Sequence, residues 1–304
     1  MKLLLTIVTL LVGGCLQAAD STFLFKTSDN VLLYVNVSGK GKPCVFVHGG
    51  PGSNADYFQA FQKGGSLEEQ VQMVYFDQRG CGRSSSPENG DFTLARMEKD
   101  LEELRQHLGF KNWAVMGHSF GGIIVTHYAK DYPTSVAALL LINCTLDMEQ
   151  SLNSHIRFGL QELNISDTAP YLDKSKPTIE RVGMIHEKFN EKGIWYKLMF
   201  RNKYEKIIND SLFDALGKQN RDFASAVWGV PEYQQSCLPL TRDIKMPVFI
   251  MSGRKDYAIG PDQYKSFDFP DKKVVLYNGG HAPFQEEPQW FSEKVTDFFM
   301  TIGY

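Results

Sequence analysis

The stretch Trp113–Tyr128 reads WAVMGHSFGGIIVTHY. Trp113–Met116 is a short apolar run of the kind a buried strand shows, and Ile123–Tyr128 has helical periodicity. Between them stand Gly117, His118, Ser119, Phe120, Gly121 and Gly122. A strand passing into a helix through G-x-S-x-G makes a sharp turn with the serine at its tip, a nucleophile elbow. Gly117 and Gly121 are needed because a side chain would clash in so tight a turn, and Gly122 allows close contact of helix and sheet. Serine is a weak nucleophile unless a base takes its proton, so the rest of the chain must supply that base and a group to orient it.

Working outward, short apolar runs alternate with helical periods. Val31–Val37, Cys44–Val47 and Gln72–Phe76 read as strands before the elbow. Thr93 caps a helix carrying Leu94, Met97, Leu101, Leu104 and Leu108 at three- and four-residue steps. Val136–Ile142 is a strongly apolar strand after the elbow. The strand rhythm then stops until Pro247–Met251 and Lys273–Tyr277, and an amphipathic helix over about Pro288–Ile302 closes the chain. Pro288 suits a first helical turn, where its missing N–H is not needed. Such alternation predicts an α/β fold with a mostly parallel sheet flanked by helices. Residues 20–146 and 241–304 form its core, and residues 147–240, helical in period, form a cap over the strand ends, where a ligand cavity is expected.

The base is expected at His281, in a glycine-flanked loop (Gly279, Gly280) after a strand and before the last helix. The acid is expected at Asp256, after the preceding strand, giving the chain order nucleophile, acid, histidine. Asp262 and Asp147 are fallbacks. The acid holds the imidazole in one tautomer and stabilises the imidazolium. Backbone N–H groups for an oxyanion are expected from Phe120 and from Gly50 in His48-Gly49-Gly50-Pro51-Gly52, since Pro51 has no N–H to give. His48 and His118 fit the walls of such a site, while His107, His127, His155 and His186 lie on helical segments and are set aside as incidental. No phosphate loop, dinucleotide fingerprint or metal-ligand cluster is present in the pattern, so no cofactor or metal is expected.

At 304 residues, 43% hydrophobic and 22% charged, the composition is that of a globular protein. A net charge of −3 with no basic patch argues against a nucleic-acid partner. A serine nucleophile beneath a cap suits a small peptide or small-molecule substrate. Residues 1–19 read as a secretory signal: Lys2, an apolar run from Leu3 to Val12, then small residues. Val12-Gly13-Gly14-Cys15 has the form of a bacterial lipobox, which would end the signal before Cys15 and anchor the protein by a lipid. Ordinary cleavage near Ala18-Ala19 is the alternative. Either way the protein is expected to be exported, as a periplasmic or membrane-anchored bacterial protein. Cys44, Cys81, Cys144 and Cys237 are widely spaced and expected as buried thiols.

His48–Gly52 (HGGPG), Asp77–Ser84 (DQRGCGRS), Gly117–Gly122 (GHSFGG), Gly253–Asp256 (GRKD) and Gly280-His281 together resemble the proline iminopeptidases of the α/β-hydrolase superfamily. The resemblance covers about Thr22–Thr145 and Ile244–Gly303 and implies release of an N-terminal proline through an acyl-enzyme. It also implies carboxylates that grip the free amino terminus. Tyr257 stands where some relatives carry Glu, and Gly229 follows Trp228 where others show Trp-Glu, which leaves Glu232 as the candidate, with Glu187 behind it. An esterase, a lactonase or a carbon–carbon bond hydrolase would use the same three residues.

Overall fold

The structure, a computed structural model, describes residues 20–62 and 66–304. The signal segment 1–19 and Cys15 lie outside the described residues.

Eight strands form one sheet: β1 (Ser21–Lys26), β2 (Leu32–Gly39), β3 (Lys42–Val47), β4 (Val71–Phe76), β5 (Trp113–His118), β6 (Val136–Ile142), β7 (Val248–Gly253) and β8 (Lys272–Tyr277). Their order is β1-β2-β4-β3-β5-β6-β7-β8. β1 and β2 join antiparallel at one edge, and every pairing from β4–β3 to β7–β8 is parallel. β1 adds a strand that the apolar pattern did not mark. Its burial alternates along an edge, with Leu24 exposed and Phe25 buried, so it shows no continuous apolar run.

The helices are α1 (Asp56–Gln59), α2 (Ser66–Gln70), α3 (Leu94–His107), α4 (Gly121–Asp131), α5 (Met148–Glu162), α6 (Ala169–Leu172), α7 (Thr178–Lys192), α8 (Lys203–Ala215), α9 (Asp222–Ala226), α10 (Pro283–Glu286) and α11 (Pro288–Thr301). In the central strands successive side chains point to opposite faces, and both faces are covered. Val45, Val47, Val115, Leu139 and Leu141 pack with Leu101 and Leu104 of α3 and Ile123, Ile124 and Tyr128 of α4. Cys44, Phe46, Ala114, Met116, Leu140 and Ile142 pack with Phe291, Val295 and Phe298 of α11. This is why β3, β5 and β6 read as unbroken apolar runs.

Between β6 and β7 the chain is helical, α5 to α9 with short 3₁₀ turns. This insertion has its own small core of Ile156, Tyr171, Val182, Ile185, Phe189 and Leu198. Cys44, Cys81, Cys144 and Cys237 are all free thiols and buried.

Candidate active site

Ser119 sits between the end of β5 and the start of α4 with φ of 55°, a left-handed backbone rarely adopted by a residue with a side chain. The turn is held from several sides. The Ser119 N–H donates to the carbonyls of Ile142 (3.3 Å) and Asn143 (3.1 Å), and its carbonyl accepts from Gly122 and Thr145, each at 3.1 Å. A Cβ on Gly121 would lie 2.4 Å from the Val47 carbonyl oxygen, so only glycine lets α4 start this close to β3.

The HGGPG loop packs directly on the elbow. A Cβ on Gly49 would fall 2.7 Å from Ser119 Cβ and 3.3 Å from the Phe120 nitrogen. Among the described residues, no acceptor takes the N–H of Gly50 or of Phe120. Both residues line the same cavity as Ser119. His48 holds the loop: its Nδ1–H donates to the Gly49 carbonyl (3.0 Å), and its Nε2 accepts the Gln78 N–H (3.0 Å). Burial pushes the His48 imidazolium down, consistent with this neutral tautomer.

DQRGCGRS is scaffold to this loop. Asp77 accepts from the Ala55 N–H (2.9 Å), the Arg83 N–H (2.9 Å) and Arg83 Nε (2.8 Å). Arg79 is wholly buried and paired with Asp100 (2.6 Å) and Asp29 (2.9 Å).

Asp256 and His281 come together from the loops after β7 and β8. Asp256 is fully buried, and its Oδ2 lies 2.8 Å from His281 Nδ1. Its Oδ1 accepts the N–H groups of Ala258 (3.1 Å) and Ile259 (3.4 Å). A carboxylate so placed accepts a hydrogen bond from Nδ1–H, which keeps the proton on Nδ1 and leaves His281 Nε2 bare as an acceptor. Ser119 and His281 line the same two cavities, and no hydrogen bond joins Ser119 Oγ to the imidazole. The fallback acids go elsewhere. Asp147 caps α5 by accepting the Gln150 N–H (2.9 Å), and Asp262 pairs with Lys265 (2.7 Å) at the surface.

Three positioning groups were not legible in the sequence. Asn143 Nδ2 donates to the carbonyls of Gly280 (2.8 Å) and His281 (2.9 Å), while its Oδ1 accepts the Gly253 N–H (2.8 Å), so it ties the acid loop to the histidine loop. Glu286 is buried and accepts from the Gly280 N–H and the Tyr277 hydroxyl, each at 3.0 Å, with Arg201 Nε at 3.0 Å. Tyr57 links loop to base. Its oxygen accepts the Gly49 N–H (2.8 Å), its hydroxyl donates to His118 Nδ1 (2.8 Å), and His118 Nε2–H donates to the His281 carbonyl (2.9 Å). All are side chains made adjacent by folding, with no local motif to mark them.

Two cavities reach Ser119. The smaller, about 110 Å³, runs past Tyr57, His118, Phe213 and Phe284. The larger, about 370 Å³, lies under the insertion against Met148, Leu152, Ile179, Trp195, Leu198 and Trp228. His155 and His186 also line it, so the expectation that these two were incidental is corrected. They sit on α5 and α7, whose packing brings them within 2.9 Å of each other. His107 does remain outside, against Phe23 and Phe25.

Glu232 is not brought to the site. It lies in the 3₁₀ turn Pro231–Gln234, which buries Tyr233 instead and leaves Glu232 half-exposed. Glu187 is exposed, because one helical step turns it away from the face that His186 presents. Among the described residues, no carboxylate lines either cavity that contains Ser119.

The family model described as "alpha/beta hydrolase fold" matches residues 42–177. The chain is 26% identical over 281 residues to the proline iminopeptidase of Heyndrickxia coagulans, covering 87% of this chain and 93% of that protein. The crystal structure of a proline iminopeptidase-related protein from Thermus thermophilus superposes with a TM-score of 0.76 at 20% identity, covering 94% of this chain and 99% of that one. An esterase from Exiguobacterium antarcticum superposes with a TM-score of 0.67 at 19% identity, covering 90% and 98%. With its sheet order, its strand–serine–helix elbow and these relatives, the chain has the α/β-hydrolase fold and resembles the proline iminopeptidases.

Proposed function

We propose that the chain is a serine hydrolase that releases an N-terminal proline through an acyl-enzyme on Ser119. One observation carries the hydrolase chemistry: a left-handed Ser119 shares its cavity with His281, whose Nδ1 is held by buried Asp256, and with two unused backbone N–H groups. In this mechanism Ser119 Oγ attacks the acyl carbonyl carbon, and His281 Nε2 takes the hydroxyl proton. Asp256 stabilises the imidazolium so formed. The Gly50 and Phe120 N–H groups receive the negative oxygen as it develops. The proton on His281 then passes to the departing amine, the C–N bond breaks, and a water activated by the same imidazole releases the acid.

The prolyl specificity is supported by the similarity to proline iminopeptidases along most of the chain. A second reading, cleavage of a small ester or lactone, is favoured by the absence of carboxylates from both cavity linings. An ammonium group placed there would lack a formal counter-charge. Export, with Cys15 as the lipid attachment point, completes the proposal.

A substrate panel decides between the two: proline anilide, alanine anilide, a short p-nitrophenyl ester and a lactone. Preferential turnover of proline anilide is expected. Ser119→Ala should lower kcat/KM by about 10³-fold or more on whichever substrate is taken. Ester turnover with no release from proline anilide would transfer the assignment to the second reading, and full activity in Ser119→Ala would sink both.

A further inference from the structure

The larger cavity is apolar except at a few points, and several of its polar side chains away from Ser119 and His281 are hydrogen-bonded. Ser151 Oγ and Thr145 Oγ1 are 2.8 Å apart, and Gln263 Nε2 donates to Ser151 at 3.0 Å. His155 is saturated, with Nε2 at 2.7 Å from the Ala258 carbonyl and Nδ1 at 2.9 Å from His186 Nε2. These contacts fix the protons. A carbonyl only accepts, so His155 Nε2 carries the hydrogen. The Nδ1 of a neutral His155 is then an acceptor, and His186 Nε2 must donate to it. His186 is left with a bare Nδ1, which no described residue hydrogen-bonds. Burial and the neighbouring His155 push His186 down to about 4, and burial also pushes His155 down, so the pair is neutral near pH 7.

The surroundings of this nitrogen suit a cation. The His186 ring packs on Trp195 with centroids 4.3 Å apart, and Trp195 and Trp228 both line the cavity. Indole faces attract ammonium groups, more strongly where solvent is excluded. A neutral imidazole acceptor packed beside one indole, in a cavity lined by a second, can therefore receive an amine N–H without a carboxylate.

We propose that His186, its tautomer set by His155 and the Ala258 carbonyl, is the specificity residue that accepts an N–H from the amine of the substrate's acyl residue. This rests on the serine-hydrolase reading and deepens it. It replaces the expected grip of Glu232 by an uncharged one.

The test uses two boronic acids of nearly equal shape, pyrrolidine-2-boronic acid and cyclopentylboronic acid. Each adds the Ser119 oxygen to boron as the hydroxyl proton moves to His281, and no group leaves. Binding is read as protection of Ser119 against a fluorophosphonate probe. The wild-type protein should bind the pyrrolidine compound at least tenfold more tightly. His186→Phe should erase that preference, read as the ratio of the two affinities within the same variant. His186→Gln, which keeps an acceptor, should restore part of it. His186→Ala gives the same reading if the Phe ring disturbs the fold. Equal binding of the two compounds by wild type, or a preference that survives in His186→Phe and His186→Ala, overturns the proposal alone. Failure of the probe to label wild-type Ser119 overturns the nucleophile assignment and the proposal with it.

Discussion

Ser119 is held in an unfavourable backbone conformation by hydrogen bonds of its own main chain and by the glycine loop packed against it. The cost of a non-glycine residue at positive φ is about 1–3 kcal/mol, and the surrounding hydrogen bonds must offset it. Tyr57 is the residue whose loss should expose this dependence. Tyr57→Phe removes one hydroxyl and leaves the buried Gly49 N–H and His118 Nδ1 without partners. Each buried unpaired group costs about 1–3 kcal/mol, so urea unfolding should show a loss of at least that order. Because the same hydroxyl joins the oxyanion loop to the histidine loop, kcat should fall more than KM changes, by about tenfold. An unchanged kcat in a destabilised protein would reduce the relay to a structural bond.

At the scale of elements, α3 and α4 meet at a pair of carboxyl groups. Glu98 is 4% exposed and has its pKa raised to about 8, first by burial and then by Asp131, which also hydrogen-bonds it. The folded state therefore holds a proton near neutral pH that the unfolded chain releases at an ordinary glutamate value. Between about pH 4.5 and 8 the folded state binds more protons, so this group's contribution to stability is complete below that window and is lost as pH rises through it. Glu98→Gln keeps the shape and removes the titration. Relative to wild type it should gain about 3 kcal/mol between pH 5 and pH 8, read from urea titrations at several pH values. A difference that does not vary with pH would show that Glu98 is ionised in the folded protein.

At the scale of the molecule, the insertion between β6 and β7 is fastened to the base and acid loops through the main chain. The Tyr257 N–H donates to the Leu198 carbonyl (3.0 Å) and the His281 N–H to the Met199 carbonyl (2.6 Å), while Arg201 pairs with Glu286 (3.0 Å). The cap therefore shapes the cavity and positions the base in one arrangement. The opposite end of the chain bears on where the enzyme works. If Cys15 carries the lipid, Leu16–Asp20 is all that separates the anchor from β1, a tether of at most about 18 Å. Cells fed an alkyne fatty acid should label the wild-type protein, and Cys15→Ser should abolish the label and release the protein from the membrane fraction. Mature protein beginning after Ala19, without lipid, would establish ordinary cleavage instead.

What the sequence determined by itself was the local and the periodic. The apolar runs located β3 to β7 within a few residues, because strands covered on both faces have little freedom in composition, and shorter apolar stretches located the more exposed β2 and β8. G-x-S-x-G between such a run and a helix located Ser119, because only glycine tolerates the close approaches there. The order of loops singled out Asp256 and His281, which the structure brings within 2.8 Å of each other. β1 escaped because an edge strand buries only alternate residues. Only the tertiary structure decided which polar groups converge from distant segments. Asn143, Glu286 and Tyr57 carry no spacing signal, and Glu232 could be set apart from the cavity only once Tyr233 was seen to occupy the interior. His155 and His186 lie 31 positions apart on separate helices, and only the packing of α5 against α7 makes them a pair facing the same cavity as Ser119. Periodicity reports how a segment meets the core, whereas a binding site depends on which segments meet each other.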